Sequence, residues 1–384
     1  MIVVIADDLT GAAEIGGIGS TYDLKTEIVC GTELSSAADL LIIATDTRSM
    51  PEKDALVVTE RITANIAEIK PEVLFKKVDS VLRGHVIAEL EAHLKTLQLN
   101  TALLVPANPA LGRTIENGRY FINGHPVHLT SFAFDPEFSI TSSEVHSMLR
   151  VDKDRITIRK KNDPLPKYGI AVGECATSEE LPEWIARGGK DTLLAGGADL
   201  FKALLESLGL RQRPGQDNEH RPTLPALFVC GTTFSKSQIA VARVSRNGGP
   251  VSYMPHDIIT LAEPHETLFD SWAAEIISLL EVYGKAVIAI HPRDSVSAAV
   301  TASNLRNKKA DVVKKVFDRT LIKELLIEGG STAAAIVNRL NFSRLYPISQ
   351  LGAGVIKLKA GAEKNLFLTL KPGSYNWPSG MWNF

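Results

Sequence analysis

Ile2-Val3-Val4-Ile5-Ala6-Asp7-Asp8-Leu9-Thr10-Gly11-Ala12 opens the chain. Its first five residues are apolar and mostly β-branched, the composition of a strand buried on both faces. A polar turn, Asp7-Asp8, comes next, and small apolar residues then continue at helical spacing. A strand that runs through a polar turn into a helix is the repeating unit of a parallel sheet covered by helices.

The same order of strand, turn and helix-periodic stretch returns at Val73–Leu94 (VLFKKVDSVLRGHVIAELEAHL), Leu227–Val244 and Leu325–Leu340. Shorter apolar runs at 40–47 (LLIIATDT), 101–108 (TALLVPAN), 286–292 (AVIAIHP) and 366–373 (LFLTLKPG) supply further strands. This alternation predicts an α/β fold with two domains, each a largely parallel sheet flanked by helices. At 384 residues the chain exceeds one comfortable core. The polar, proline-containing stretch 211–225 reads as a linker between domains at 1–210 and 226–384. Ligands in such sheets bind beyond the carboxyl ends of the strands, where the polar turns fall.

Lysine plus arginine total 42 against 44 acidic residues, a net charge of -2 that leaves no electrostatic footprint for nucleic acid or an anionic membrane. Any anion site must be local. Cys30, Cys175 and Cys230 lie far apart without metal-ligand spacing, which argues against a disulfide framework and suits a reducing cytosol. The N-terminus lacks a basic region and soon reaches Asp7 and Asp8, so it reads as neither signal peptide nor membrane span. A cytoplasmic protein with small-molecule partners is expected, and a homodimer is left open.

Two adjacent acids at a strand end are unfavourable to bury unless something pairs with them. Asp8 or Asp7 could accept the proton of a substrate hydroxyl while the neighbour hydrogen-bonds another, with Asp8 the first choice as base. The structural alternative is that Asp8 or Thr10 caps the following helix. The spacing resembles the D-x-D-x-T signature of aspartyl phosphatases, but adjacent strand residues point to opposite faces. Lys76-Lys77-Val78-Asp79-Ser80-Val81-Leu82-Arg83-Gly84-His85 ends a second strand. Arg83 offers a planar fork for a carboxylate and Lys77 a compact cation, and Asp79 and Ser80 could bind hydroxyls. Their structural alternative is a capped helix with a surface ion pair. Pro106-Ala107-Asn108-Pro109-Ala110-Leu111-Gly112-Arg113 presents Asn108 and Arg113, which could complete a pocket for a carboxylate and hydroxyls.

In the second domain, Glu328-Gly329-Gly330-Ser331-Thr332 joins a strand to a helix. Two glycines allow a ligand close to the backbone, and the helix N-terminus presents free N–H groups to an anion. The pattern is neither a Walker A loop nor a dinucleotide fingerprint. Its structural alternative is a tight turn with Ser331 as helix cap. Gly231-Thr232-Thr233-Phe234-Ser235 and Leu370-Lys371-Pro372-Gly373 are further glycine and hydroxyl turns at strand ends. Together they suit the phosphates and ribose of a nucleotide.

With these residues in place, the chain resembles the four-carbon acid sugar kinase family along its whole length. IADDLTGA, KKVDSVLRG and PANPALGR resemble motifs of that family's sugar-binding domain, and the glycine turns resemble those of its nucleotide-binding domain. The resemblance implies ATP-dependent phosphorylation of a hydroxyl on a small sugar acid. By position, ATP contacts fall on Thr232, Thr233 and Ser235, on Gly329, Gly330, Ser331 and Thr332, and on Gly373. Mg²⁺ is expected to travel with ATP, with no metal ligands from the chain itself. Where the family carries an acid after the double glycine, this chain has Ser331. That departure keeps a second expectation open, a non-catalytic sensor of sugar acid and nucleotide.

Overall fold

The structure is a computed structural model describing residues 1–135, 137–213, 220–231, 235–292, 301–361, 365–373 and 375–384. The chain divides into two compact units, Met1–Arg213 and Pro214–Phe384.

The first unit contains strands β1 (Ile2–Ala6), β2 (Thr26–Val29), β3 (Leu40–Ala44), β4 (Val73–Lys77) and β5 (Thr101–Val105). A small insert follows, with β6 (Arg113–Glu116), β7 (Arg119–Ile122) and β8 (His125–Pro126), and the sheet resumes with β9 (Ile156–Arg159), β10 (Gly169–Gly173) and β11 (Thr192–Gly196). Helices are α1 (Leu9–Thr21), α2 (Glu52–Ile69), α3 (Val86–Leu97), α4 (Val145–Leu149), α5 (Leu181–Arg187) and α6 (Ala198–Ser207). The main sheet has the order β2-β3-β1-β4-β11-β5-β10-β9, parallel throughout, as the doubly buried apolar runs require. Val3 and Ile5 of β1 face one core cluster with Leu41, Ile43, Ile62 and Ile66. A second cluster packs α3 against β5 and β10 and extends to Tyr120 and Phe132 of the insert.

The first crossovers run from β1 outward to β2 and back to β3, and the chain then crosses to β4 on the other side of β1. The carboxyl ends of β1 and β4 therefore flank a switch point, where such sheets leave a crevice. Asp7 and Asp8 leave β1 there, and Asp79 to Arg83 leave β4 beside them. The insert β6-β7-β8 is antiparallel, an element that the strand and helix alternation did not announce.

The second unit contains β12 (Ala226–Cys230), β13 (Val251–Tyr253), β14 (Lys285–Ala289), β15 (Glu324–Glu328), β16 (Arg344–Gly352), β17 (Val355–Ala360) and β18 (Phe367–Lys371). Its helices are α7 (Ser235–Arg246), α8 (His256–Thr260), α9 (Glu266–Tyr283), α10 (Ala302–Arg319) and α11 (Gly330–Arg339). Strands β13-β14-β12-β15-β18 are parallel, and β17 and β16 add an antiparallel hairpin through the Gly352–Val355 turn. Here the switch point lies between β12 and β15, so Gly231 and Gly329 meet across it. The C-terminal residues cover the Phe228 ring, which lies 6.0 Å from Trp377, 5.4 Å from Trp382 and 5.0 Å from Phe384.

Candidate functional site

Asp7 and Asp8 are both buried, at 4% and 5% exposure. Asp8 is the N-cap of α1: its Oδ1 accepts the Gly11 N–H at 2.8 Å and its Oδ2 accepts the Thr10 hydroxyl. The capping expectation for Asp8 is met, and its cap leaves Asp7 to a different partner. That partner is Arg48, from the turn after β3. Arg48 Nε donates to Asp7 Oδ2 and Nη2 to Asp7 Oδ1, both at 2.8 Å, and Nη2 also reaches Asp8 Oδ1 at 2.8 Å. Arg48 Nη1 lies 3.5 Å from Asp79 Oδ1.

Asp79 in turn holds Arg83. Its Oδ2 accepts from Arg83 Nε at 2.9 Å and from the backbone N–H groups of Val81 and Arg83 at 3.2 Å, while Oδ1 accepts from Arg83 Nη2 at 2.8 Å. The far nitrogen of Arg83, Nη1, donates to Asp135 Oδ2 at 2.8 Å. Arg113 donates to the Ser80 hydroxyl, and Tyr120 on β7 donates to the Ser80 carbonyl. The Arg83 and Arg113 guanidinium carbons lie 5.6 and 5.7 Å from the Phe132 ring centre, so the insert brings both arginines against one aromatic face. Lys77 donates to the Val78 carbonyl at 2.9 Å and lies 3.4 Å from Glu14.

Burial raises the proton affinity of all three acids, and what opposes it differs. At Asp7 burial outweighs the pull of Arg48, with Asp8 adding to the rise, and the carboxyl sits above the ordinary range. At Asp8 burial is overcome by Arg48, the Thr10 hydroxyl, Lys77 and the Gly11 N–H, which together hold it below that range. At Asp79 burial loses to Arg83 and Arg48, which hold its carboxyl far below the usual value. Neighbouring carboxylates of identical chemistry are thus pushed in opposite directions.

Asp7, Asp8, Lys77, Asp79, Ser80, Arg83 and Arg113 come together at the first switch point. Asn108 does not join them through its side chain: with its amide nitrogen turned to Asp199 it donates to Oδ2 at 2.7 Å, while its backbone pairs with that of Arg113. Sequence reasoning did not single out Arg48 or Asp135. Arg48 carried a usable signal, since Thr45-Asp46-Thr47-Arg48 is itself a polar turn at a strand end. Asp135, distant in sequence and outside any strand-end turn, carried none.

At the second switch point, Gly329 takes φ 100°, a backbone conformation that favours glycine, and serves as the N-cap of α11. Having no side chain, it leaves the first N–H groups of α11 without a side-chain cap. Ser331 is therefore inside the helix and is not its cap, contrary to the structural alternative. Thr332 is buried, and its hydroxyl packs so closely on Gly231 that a Cβ there would collide with it and with the Glu328 carbonyl. Gly231 N donates to Glu328 O at 2.9 Å, and Gly329 N donates to Lys371 O at 2.9 Å, so β12, β15 and β18 end in one joined turn. Gly373 lies two residues beyond Lys371. Lys371 Nζ, almost fully buried, lies 3.2 Å from Glu328 Oε1 and donates to the Tyr375 carbonyl at 2.7 Å. Glu328 and Lys371, part of the strand-end turns read from sequence but given no role there, form the charged support of this turn. Lys309 reaches the Cys230 carbonyl at 2.9 Å from α10. Thr232, Thr233 and the side chain of Ser235 lie outside the described residues.

Among the described residues, no group of three or more His, Cys, Asp or Glu is arranged to hold a metal ion. Asp7, Asp8 and Asp79 at the first switch point are held by Arg48 and Arg83, which does not fit a cation held by those carboxylates. No helix among them is long and apolar enough to cross a membrane.

Residues 2–178 match the model of a sugar-binding N-terminal domain, and residues 227–375 match that of a nucleotide-binding C-terminal domain. A D-threonate kinase of Salmonella typhimurium is 33% identical over 372 residues, covering 88% of this chain and 86% of that protein. A 3-oxo-tetronate kinase of Haemophilus influenzae is 22% identical over 405 residues, covering 98% and 97%. A solved Haemophilus influenzae protein shares the fold with a TM-score of 0.68 at 21% identity, covering 98% of this chain and 97% of its own.

Proposed function

Because the chain belongs to the four-carbon acid sugar kinase family, and is a small-molecule kinase acting on a sugar acid, we propose that it transfers the γ-phosphoryl group of ATP to a hydroxyl of a threonate, erythronate or 3-oxo-tetronate type acid. The observation that carries this reading is the division of two chemistries between two switch points. An arginine-held set of carboxylates lies in the unit matched as sugar-binding. A helix N-terminus led by glycine, without a side-chain cap, lies in the unit matched as nucleotide-binding.

Transfer is written as an in-line displacement, in which catalysis is mostly positioning and charge neutralisation. The acceptor hydroxyl oxygen bonds to the γ-phosphorus, the bond to the β,γ-bridging oxygen breaks, and ADP leaves. The hydroxyl proton goes to a carboxylate. The sequence favoured Asp8 for this role, but Asp8 is tied to the helix cap as well as to Arg48, whereas Asp7 is held by Arg48 alone, and the proton affinity of Asp8 is depressed. We therefore assign the proton to Asp7, whose affinity is raised, with Asp8 and Ser80 orienting hydroxyls. Arg113 faces the substrate carboxylate, while Arg83, its fork on Asp79 and its third nitrogen on Asp135, adds positive charge together with Lys77. Asp79 holds the Arg83 fork, and Asn108 acts at a distance through the backbone of Arg113.

For ATP, the N–H groups of Gly330, Ser331 and Thr332 receive phosphate oxygens, and Thr232, Thr233, Ser235 and Gly373 complete the contacts. Mg²⁺ would be held by phosphate oxygens and water.

The test is to incubate the protein with ATP, Mg²⁺ and a panel of four-carbon acids, and to measure ADP and the phosphorylated acid. ADP formation that depends on one of the acids is expected. Saturable binding of acid and nucleotide without ADP would sink the reading and favour a sensor.

A further inference from the structure

We infer that Arg48 is the positioning residue of the acceptor site, the group that keeps the Asp7, Asp8 and Asp79 carboxylates together in one orientation. The inference rests on the acceptor reading of the first switch point. Three carboxylates from two separate turns converge on one guanidinium, which uses Nε and Nη2 on Asp7, Nη2 again on Asp8 and Nη1 towards Asp79. The Arg48 side chain is only 12% exposed. Its backbone N–H also donates to the Asp7 carbonyl at 3.2 Å, so main chain and side chain grip the same residue.

The other charges around the cluster do not substitute for it. Lys76 is turned to Glu89 on α3, Lys77 to Glu14 on α1, and Arg83 to Asp79 and Asp135. None of them donates a hydrogen bond to either Asp7 oxygen among the described residues. Without Arg48, Asp7 would be a buried carboxylate beside Asp8 with no donor on it, and would take up a proton instead of accepting one from substrate. A planar fork is needed as well as a charge, because one guanidinium reaches three acids only through nitrogens in fixed relative directions.

Arg48→Gln and Arg48→Lys separate charge from geometry. In Arg48→Gln we expect kcat to fall about a hundredfold with the KM for ATP unchanged. The acid limb of the kcat/KM profile should move up by about one pH unit. In Arg48→Lys the charge remains, so the acid limb stays near its wild-type position while kcat still falls, by about tenfold. Wild-type kcat in either variant, or a lower kcat in Arg48→Gln with an unmoved acid limb, would overturn the inference. If Arg48→Gln does not fold, Arg48→Lys decides alone through kcat. If the wild type turns over none of the acids, the acceptor reading has failed separately. Arg48 is then judged by carboxyl-carbon NMR of aspartate-labelled protein, where an Arg48 variant that leaves every aspartate titration unchanged refutes the role.

Discussion

Both switch points manage negative charge, and they do it by opposite means. At the ends of β1 and β4 the charges belong to the protein, and arginines neutralise them: Arg48 from the turn after β3 on Asp7 and Asp8, and Arg83 from its own turn on Asp79. At the end of β15 the charge is expected to arrive with the ligand, and the turn offers backbone N–H groups that no side chain caps. A site built from ion pairs depends on which side chains are present and on their protonation. One built from backbone depends on the absence of side chains. The difference teaches where each half is vulnerable, the first to loss of a charge and the second to gain of a methyl group.

The largest expected effect breaks the first half and spares the second. Asp7→Asn should lower kcat by about 10³-fold, the scale of losing a positioned base, while calorimetric ATP affinity stays at the wild-type value. Asp8→Ala should cost less in kcat and more in stability, since it removes the α1 cap, typically at about 1 kcal/mol. Equal kcat losses in the two variants would erase the distinction between them.

The converse break is Gly231→Ala. The added Cβ meets the Thr332 hydroxyl and the Glu328 carbonyl, and overpacking of this kind costs about 1–3 kcal/mol. ATP affinity should fall by about tenfold or more while binding of the sugar acid is retained, read by titration of each ligand alone.

The smallest effect sharpens the comparison through pH. Burial pushes Lys309 beneath the β12 turn down to about 8, against the opposing pull of Glu328 and Cys230. Its folded value lies below the unfolded one, so between those values the unfolded chain binds more protons and stability rises with pH. Lys309→Met should therefore gain stability at neutral pH, and its lead over wild type in thermal unfolding should narrow as pH is raised from about 8 to about 10. A lead that does not change with pH would show that Lys309 is not buried as a cation.

The parallel sheets were legible because each strand buried on two faces writes an unbroken apolar run, as in Ile2–Ala6 and Leu40–Ala44. The insert β6-β7-β8 was not, since its short strands are half-exposed and its residues Arg113 to Pro126 show neither period clearly. Site residues within one turn could be read together, which is why Asp79, Ser80 and Arg83 were named as a group. Arg48 was hidden for a different reason. Its meaning comes from the pairing of β1 with β3, which sets Ala6 beside Ala44 and so brings two strand-end turns together. Glu328 and Lys371 share that history, being joined only when β15 pairs with β18. Residue type announces a charge, but register chooses its partner.

The aromatic C-terminal stretch gives the second unit an optical property of its own. Lys371, whose carbonyl receives the Gly329 N–H, has its ammonium 5.5 Å from the centre of the Trp377 ring. The indole thus stands one residue away from the turn assigned to phosphate, next to a cation whose field tunes its excited state. With the chain's other tryptophans, Trp184, Trp272 and Trp382, replaced by phenylalanine, emission from Trp377 should report on that turn.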